Sequence, residues 1–276
     1  MKEDMSGGAD MAARGRKDWD WRKTLVLVPA FNEEESLSGV LREIRESLPG
    51  AGVAVVDDGS QDRTAAVARK GGATVLRLPC NMGVGPALQA GMRWAVEEGY
   101  ELVLRVDADG QHIPAEALKL REALEREGTD LAIGTRYGDG GEYRGSWGRR
   151  LVLKALAVFL SVICRKRTDD PTSGFWLMTR DLAECFLVHY PSDYPEPEAV
   201  ALLRRQGFDF TEVPTRFRTR KAGESSLGPW KTVNFAAKVF LALFVDRLRS
   251  VDRRGSAAAI RRRRARSESG GKGAVA

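Results

Sequence analysis

The pentapeptide Asp107-Ala108-Asp109-Gly110-Gln111 follows the apolar run from Leu102 to Val106 and sets two carboxylates one residue apart at a strand end. Such a pair repels itself unless a cation is present. Mg²⁺ and Mn²⁺ take oxygen ligands, and Mg²⁺ commonly pairs one or two carboxylates with the phosphates of a substrate. An Asp/Gly turn closed by local hydrogen bonds explains the same five residues, and so short a pattern does not separate the two readings. A second acidic pair, Asp57-Asp58, ends the run from Val53 to Val56 and is followed by Gly59-Ser60-Gln61-Asp62. Helix capping accounts for Ser60 and Asp62. It accounts less well for two adjacent acids, which need donors nearby of the kind a nucleobase edge offers. A third cluster, Pro29-Ala30-Phe31-Asn32-Glu33-Glu34, ends the run from Leu25 to Val28. The glycines of Asn81-Met82-Gly83-Val84-Gly85 permit close backbone approach, although no G-x-G-x-x-G dinucleotide fingerprint is present.

These clusters do chemistry together only if their strands end side by side. From Thr24 onward, short apolar runs alternate with amphipathic segments: strands at 25–28, 53–56, 74–78, 102–106 and 131–134, with helices at 33–48, 62–70, 87–98 and 115–126 between them. This alternation predicts an α/β fold with a mostly parallel sheet, helices on both faces, and ligand sites at the carboxyl ends of the strands. Beyond Tyr137 the regularity weakens: a Gly-rich loop precedes an apolar helix at 151–164, a strand near 175–179 and a helix at 198–206. Leu151 to Cys164 is too short to span a bilayer. The segment 229–250 reads as an amphipathic helix that either lies on a membrane or packs on protein.

The chain of 276 residues with 43% hydrophobic content is long enough for a proper core. Its net charge of +6 is concentrated in the tail: nine arginines and one acid lie between Arg247 and Arg266, leaving the body slightly acidic. Residues 251–276 therefore read as a disordered basic tail and residues 1–23 as a disordered leader without the apolar core of a signal peptide. Three scattered cysteines suggest neither a disulfide framework nor a zinc site, and the expected location is cytoplasmic.

Taken in order, PAFNEE (29–34), VVDDGSQD (55–62), NMGVG (81–85), DADGQH (107–112), GTRY (134–137), DPTSGF (170–175) and EVPTRFRTRKAGESS (212–226) resemble a family 2 glycosyltransferase with the GT-A, Rossmann-like fold. The likeness extends to the dolichyl-phosphate mannosyltransferase-like branch and to bacterial surface-polysaccharide transferases. It implies a GT-A domain over 24–228 with a C-terminal helical extension, and an inverting, Mg²⁺- or Mn²⁺-dependent transfer from a nucleotide-diphosphate sugar. The acceptor it implies is a lipid-linked saccharide or a polyprenyl phosphate at the inner face of the membrane.

Carried over by residue, the resemblance assigns Pro29, Ala30, Phe31 and Glu33 to the nucleoside, Asp58 with Asp57 to the base, and Gly83 and Ala108 to the donor site. Asp107, Asp109 and Gln111 hold the metal and diphosphate, while Arg136 and Arg220 add positive charge at the phosphates. Glu198 is the candidate base, with Glu196 close enough to compete; a phosphate acceptor needs no base. Val84 departs from the lysine that many relatives carry. Two other functions stay open on sequence alone: a sugar nucleotidyltransferase, against which the missing early Gly- and Arg-rich phosphate loop counts, and a nucleic-acid-binding protein that uses the arginine tail.

Overall fold

The computed structural model describes residues 20–136, 147–191, 195–218, 238–244 and 255–271. The chain runs β1 (Thr24–Ala30), α1 (Leu37–Ser47), β2 (Gly52–Asp57), α2 (Thr64–Lys70), β3 (Thr74–Arg77), α3 (Val84–Glu97) and β4 (Leu102–Arg105). A short 3₁₀ turn (Pro114–Glu116) leads into α4 (Ala117–Glu127), β5 (Leu131–Thr135), α5 (Trp147–Cys164), β6 (Trp176–Thr179), α6 (Arg180–Val188), α7 (Pro195–Arg205) and β7 (Phe210–Pro214). Two further helical stretches follow, residues 238–244 (α8) and Ala257–Gly271 (α9).

The strands form one sheet in the order β3-β2-β1-β4-β6-β5-β7. Every neighbouring pair is parallel except the two that involve β6. Because successive strand residues point to opposite faces, β1 feeds two cores at once. Leu25 and Leu27 join one with α3, α5, α6 and α7; Val26 and Val28 join the other with α1 and α4. This is the expected α/β sheet covered on both faces. In α1 the buried set Leu37, Val40, Leu41 and Ile44 follows helical spacing. On the other face Gly91 lets α3 lie against the sheet, since a Cβ there would stand 2.0 Å from Leu27 Cδ1.

Several boundaries shift for identifiable reasons. The first helix starts at Leu37 instead of Glu33, because the backbone N–H groups of Glu33 and Glu34 donate to Thr64 Oγ1 and Asp62 Oδ2 across the loop. The third helix begins early, at Val84, after Gly83 turns the chain with φ of 92°. The sequence reading had no helix at 180–188 and no strand at 210–214. Thr179 caps the former, its Oγ1 accepting from Leu182 N, and β7 pairs in parallel with β5.

The largest correction concerns the basic tail, where the structure forms α9. Ala257 and Ile260 are buried, and Ala257 N donates to the Gln206 carbonyl at 2.9 Å. Arg261 Nη2 lies 2.7 Å from Asp130 Oδ1, and Arg264 Nη1 lies 3.0 Å from Asp181 Oδ1. Composition counted the arginines as a solvated run because the acids that pair with them lie far upstream. Of the expected amphipathic helix at 229–250, only 238–244 falls among the described residues. All three cysteines are free, with Cys164 and Cys185 buried. No helix among the described residues is long and apolar enough to cross a membrane.

If α9 is part of the fold, Ile260→Ala should destabilise the protein by about 2–4 kcal/mol, the usual cost of truncating a buried aliphatic side chain. Urea denaturation of the full chain measures this, and an unchanged midpoint would mean that α9 does not pack.

Candidate active site

The carboxyl ends of β1, β2 and β4 open onto a cavity of about 300 Å³. Pro29, Ala30, Phe31 and Glu33 line it from β1, Asp58 from β2, Arg105 with Asp107 to Asp109 from β4, and Val84 and Ala87 from α3. Eight residues assigned from sequence thus meet in one place: Pro29, Ala30, Phe31, Glu33, Asp58, Asp107, Ala108 and Asp109. Phe31 is 41% exposed, a flat apolar surface of the kind on which a planar ligand can lie.

The acidic pair at β2 turns out to be balanced from within. Asp58 accepts from the backbone N–H groups of Met82 and Gly83, each at 2.8 Å. Asp57 is fully buried: Oδ1 accepts from Ser60 N at 2.9 Å, and Oδ2 faces Arg77 Nε at 3.3 Å. Only Asp58 therefore reaches the cavity, and Gly83 acts through its backbone N–H. The neighbouring polar residues lace two loops together. Asn32, held at φ of 54°, donates from its N–H to Ser60 Oγ at 3.0 Å, and its Oδ1 accepts from Gln61 N at 2.9 Å. Glu34 Oε2 accepts from Arg63 N at 2.9 Å.

At the end of β4, Arg105 is the residue that sequence reading missed. It is 4% exposed, with Nε 3.0 Å from Asp107 Oδ1 and Nη1 2.9 Å from Glu196 Oε1, under partial cover of the Trp176 ring at 5.8 Å. Gly174 makes room for it, since a Cβ there would lie 2.6 Å from Arg105 Nη2. The only sequence signal was a single arginine inside an apolar strand. Burial works against the charge of Arg105, but Asp107 and Glu196 outweigh it and keep the guanidinium protonated. Enclosure likewise opposes the charge on Asp107, yet Arg105 and then His112 hold its carboxyl below the usual carboxylate range. His112 is pushed below its ordinary value, chiefly by burial, and its Nδ1 accepts from Asp107 N at 3.0 Å. Asp107 is thus an ionised carboxylate of fixed direction.

Asp109 is steered by Gln111, whose backbone N–H and side-chain amide both donate to it. In this arrangement Gln111 orients Asp109. Among the described residues no three His, Cys, Asp or Glu side chains gather into a cage for a metal. Two carboxylates at the rim of a cavity instead suit a hard cation whose remaining ligands come from a diphosphate. The donor set fits Mg²⁺ or Mn²⁺ in that sense, and Asp107 and Asp109 are the residues that could hold it.

Arg136 is held away from the cavity lining by Asp170, with Nε to Oδ2 at 2.8 Å and Nη2 to Oδ1 at 3.0 Å, and by Thr172 Oγ1 at 2.9 Å. It does not line the cavity, but its charge still helps to hold Asp107 below the usual carboxylate range. The loop that carries Asp170 rests on Glu212, which accepts from Asp169 N at 2.7 Å. Burial pushes the Glu212 carboxyl up to about 7. Glu196 reaches the site through Arg105. Glu198 stands roughly 200° further round α7 at the helical 3.6 residues per turn, and its Oε1 is buried. Arg220 lies outside the described residues.

Two outcomes are expected. Arg105→Met should destabilise the protein by about 3–5 kcal/mol, because Asp107 and Glu196 lose their cation, whereas Glu196→Gln should cost less than about 2 kcal/mol; chemical denaturation compares them. Glu212 has a folded pKa above its unfolded one, so its contribution is complete below about pH 4.5 and is lost as pH rises through about 7. The melting temperature of Glu212→Gln relative to the unsubstituted protein should therefore climb between pH 4.5 and 8, and a pH-independent difference would refute the shift.

Comparison with known proteins gives a consistent result. The family model described as Glycosyl transferase family 2 matches residues 25–187. The chain is 32% identical over 216 residues to polyprenol monophosphomannose synthase of Mycolicibacterium smegmatis, covering 75% of this chain and 81% of that one. It is 30% identical over 215 residues to undecaprenyl-phosphate mannosyltransferase of Micrococcus luteus, covering 74% and 87%. Among solved structures, glucosyl-3-phosphoglycerate synthase of Mycobacterium tuberculosis, in complex with Mn²⁺, uridine diphosphate and glucosyl-3-phosphoglycerate, superposes with a TM-score of 0.62 at 22% identity. That match covers 84% of this chain and 85% of the other, and it shows the shared fold.

Proposed function

Since the chain belongs to glycosyl transferase family 2 and is a glycosyltransferase, we propose that its cavity binds a nucleotide-diphosphate sugar and passes the sugar, with inversion, to a polyprenyl phosphate. The observation that carries this reading is the meeting of Phe31, Asp58, Asp107 and Asp109 in one cavity. An aromatic face and a carboxylate suit a nucleoside; two further carboxylates suit a cation on its diphosphate. The names of the two mannosyl-transferring relatives support the acceptor class. Family membership also displaces the nucleotidyltransferase and nucleic-acid readings.

In this reading Pro29, Ala30, Phe31, Glu33 and Asp58 hold the nucleoside, while Asp107 and Asp109 hold Mg²⁺ or Mn²⁺. When bound, the cation neutralises charge that grows on the departing nucleoside diphosphate. Arg105 fixes the direction of Asp107, and Gln111 that of Asp109, so neither carboxylate has to reorganise as that charge develops. The acceptor phosphate attacks the anomeric carbon from the face opposite the leaving group. A new C–O bond forms as the bond to the donor diphosphate breaks, and its electron pair leaves with the nucleoside diphosphate. A phosphate monoester is largely ionised at neutral pH, its second pKa being about 6, so no proton must be removed. Glu198 is then free of the duty of base, and Glu196 serves by holding Arg105. The site faces lipid on the cytoplasmic side of the membrane as a peripheral protein.

The test is transfer of labelled sugar from UDP- and GDP-sugars to a polyprenyl phosphate with Mn²⁺. The unsubstituted protein should form a product, and Asp109→Asn should lose about 10²-fold or more in turnover, as removal of a charge-stabilising group does. Glu198→Gln should lose less than about tenfold. A loss of about 10²- to 10⁴-fold in that variant would instead show general-base catalysis and a hydroxyl acceptor, and near-normal turnover by Asp109→Asn would remove the metal assignment.

A further inference from the structure

Helix α5 is apolar on both sides. Its inner side buries Leu153, Leu156, Ala157, Leu160 and Cys164 in the core. At the same helical spacing its outer side presents Leu151, Ala155, Val158 and Val162 to solvent, with the three large residues 56%, 58% and 71% exposed. A helix with apolar residues on two opposite sides is normally covered on both. The neighbouring α8 also exposes apolar side chains, Leu241 at 63% and Phe244 at 59%. The Phe159 and Phe240 rings join the two helices at 4.6 Å. Five large exposed apolar side chains on two helices in contact exceed the scatter of single exposed residues on a soluble protein.

The charges around this surface identify its partner. Residues 147–167 contain Arg149, Arg150, Lys154, Arg165, Lys166 and Arg167 and no acid. Arg150, Lys154 and Arg165 on α5 and at its end, and Lys238 on α8, are exposed. Lys166 and Arg167 are partly answered by Asp209 and Asp169. A second copy of the chain would bring these cations against themselves about a twofold axis. A bilayer with anionic headgroups offers both an apolar layer for the stripe and negative charge for its rim.

We propose that the outer face of α5, continued by α8, is the surface by which the protein docks on an anionic lipid bilayer. The helix that carries this surface packs on the helix that anchors Arg105. Cys164 Sγ contacts the Val200 carbonyl, and Arg204 Nε donates to the Cys164 carbonyl at 3.2 Å, so α5 packs on α7, whose first turn brings Glu196 to Arg105. Resting on the lipid-acceptor reading, such docking would bring the protein to the membrane that supplies the acceptor. It also removes the need for a membrane-spanning helix among the described residues.

The experiment is co-sedimentation of the full chain with vesicles that contain neither acceptor nor donor, so its outcome is independent of the transfer assay. The protein should bind vesicles of phosphatidylcholine with about one-quarter phosphatidylglycerol, bind pure phosphatidylcholine weakly, and weaken in about 0.5 M NaCl. Val158→Glu with Val162→Glu should lower binding at least about tenfold, since each buried valine contributes to partition. The variant should melt like the parent and keep its thermal shift with Mn²⁺ and UDP or GDP. Absence of vesicle binding by the parent overturns the proposal, as does full binding by the double variant. So does loss of binding on reversal of the exposed Arg262 and Arg263 of α9 while the valine variant binds normally. A dimer that the valine substitutions dissociate, without lipid binding, assigns the surface to a second copy and ends the proposal too.

Discussion

A single guanidinium, Arg105, lies almost wholly buried between two carboxylates that come from opposite halves of the chain. Its position is possible only because Gly174 has no side chain and Trp176 offers an aromatic face. Three consequences follow from this one charge. It holds Asp107 ionised and aimed at the cavity, it ties the start of α7 to the end of β4, and it makes β6 and its preceding loop part of the site although they contribute nothing to the cavity wall. Removing one partner from such a buried pair strands the others in a poor solvent for charge. The regular first half of the molecule and its more irregular second half are therefore held together beside the cavity.

The same economy appears at the ends of β1 and β2. Most polar residues there bind one another: Asn32 with Ser60 and Gln61, Glu34 with Arg63, and Asp57 with Ser60. This lacing fixes two loops that would otherwise move independently, and it leaves Phe31, Glu33 and Asp58 facing the cavity. Rigid loops on a buried parallel sheet suit the proposed site, which would have to place a flat base and a diphosphate at once. Balancing Asp57 and Asp58 with backbone N–H groups and Arg77 means that no ligand is needed to relieve their repulsion.

The second half of the chain reverses one strand of the sheet and covers one core with α5, α6 and α7. Helix α9 closes this layer through Ile260 and the ion pairs of Arg261 and Arg264. One surface of the layer, the outer side of α5, stays apolar and rimmed with cations. The cavity and the proposed lipid-docking surface thus belong to a single sheet-based domain.

What the sequence determined by itself was local and periodic. Alternation of apolar runs with amphipathic segments defined β1 to β5 and the helices between them, and acidic clusters at strand ends marked where a cavity would open. Both signals survive because hydrophobic spacing and strand-end chemistry are set by near neighbours. Tertiary structure decided whatever depended on a distant partner. Asp57 turned out to be internal because Arg77 and Ser60 answer it, and Arg136 is paired with Asp170. The arginine run became a helix because Asp130 and Asp181 stand where Arg261 and Arg264 arrive. Arg105 looked like an irregularity in a strand until Glu196, 91 residues away, was brought beside it. Charge in a protein interior is settled by pairing, and pairing across such separations follows from the fold rather than from the local sequence.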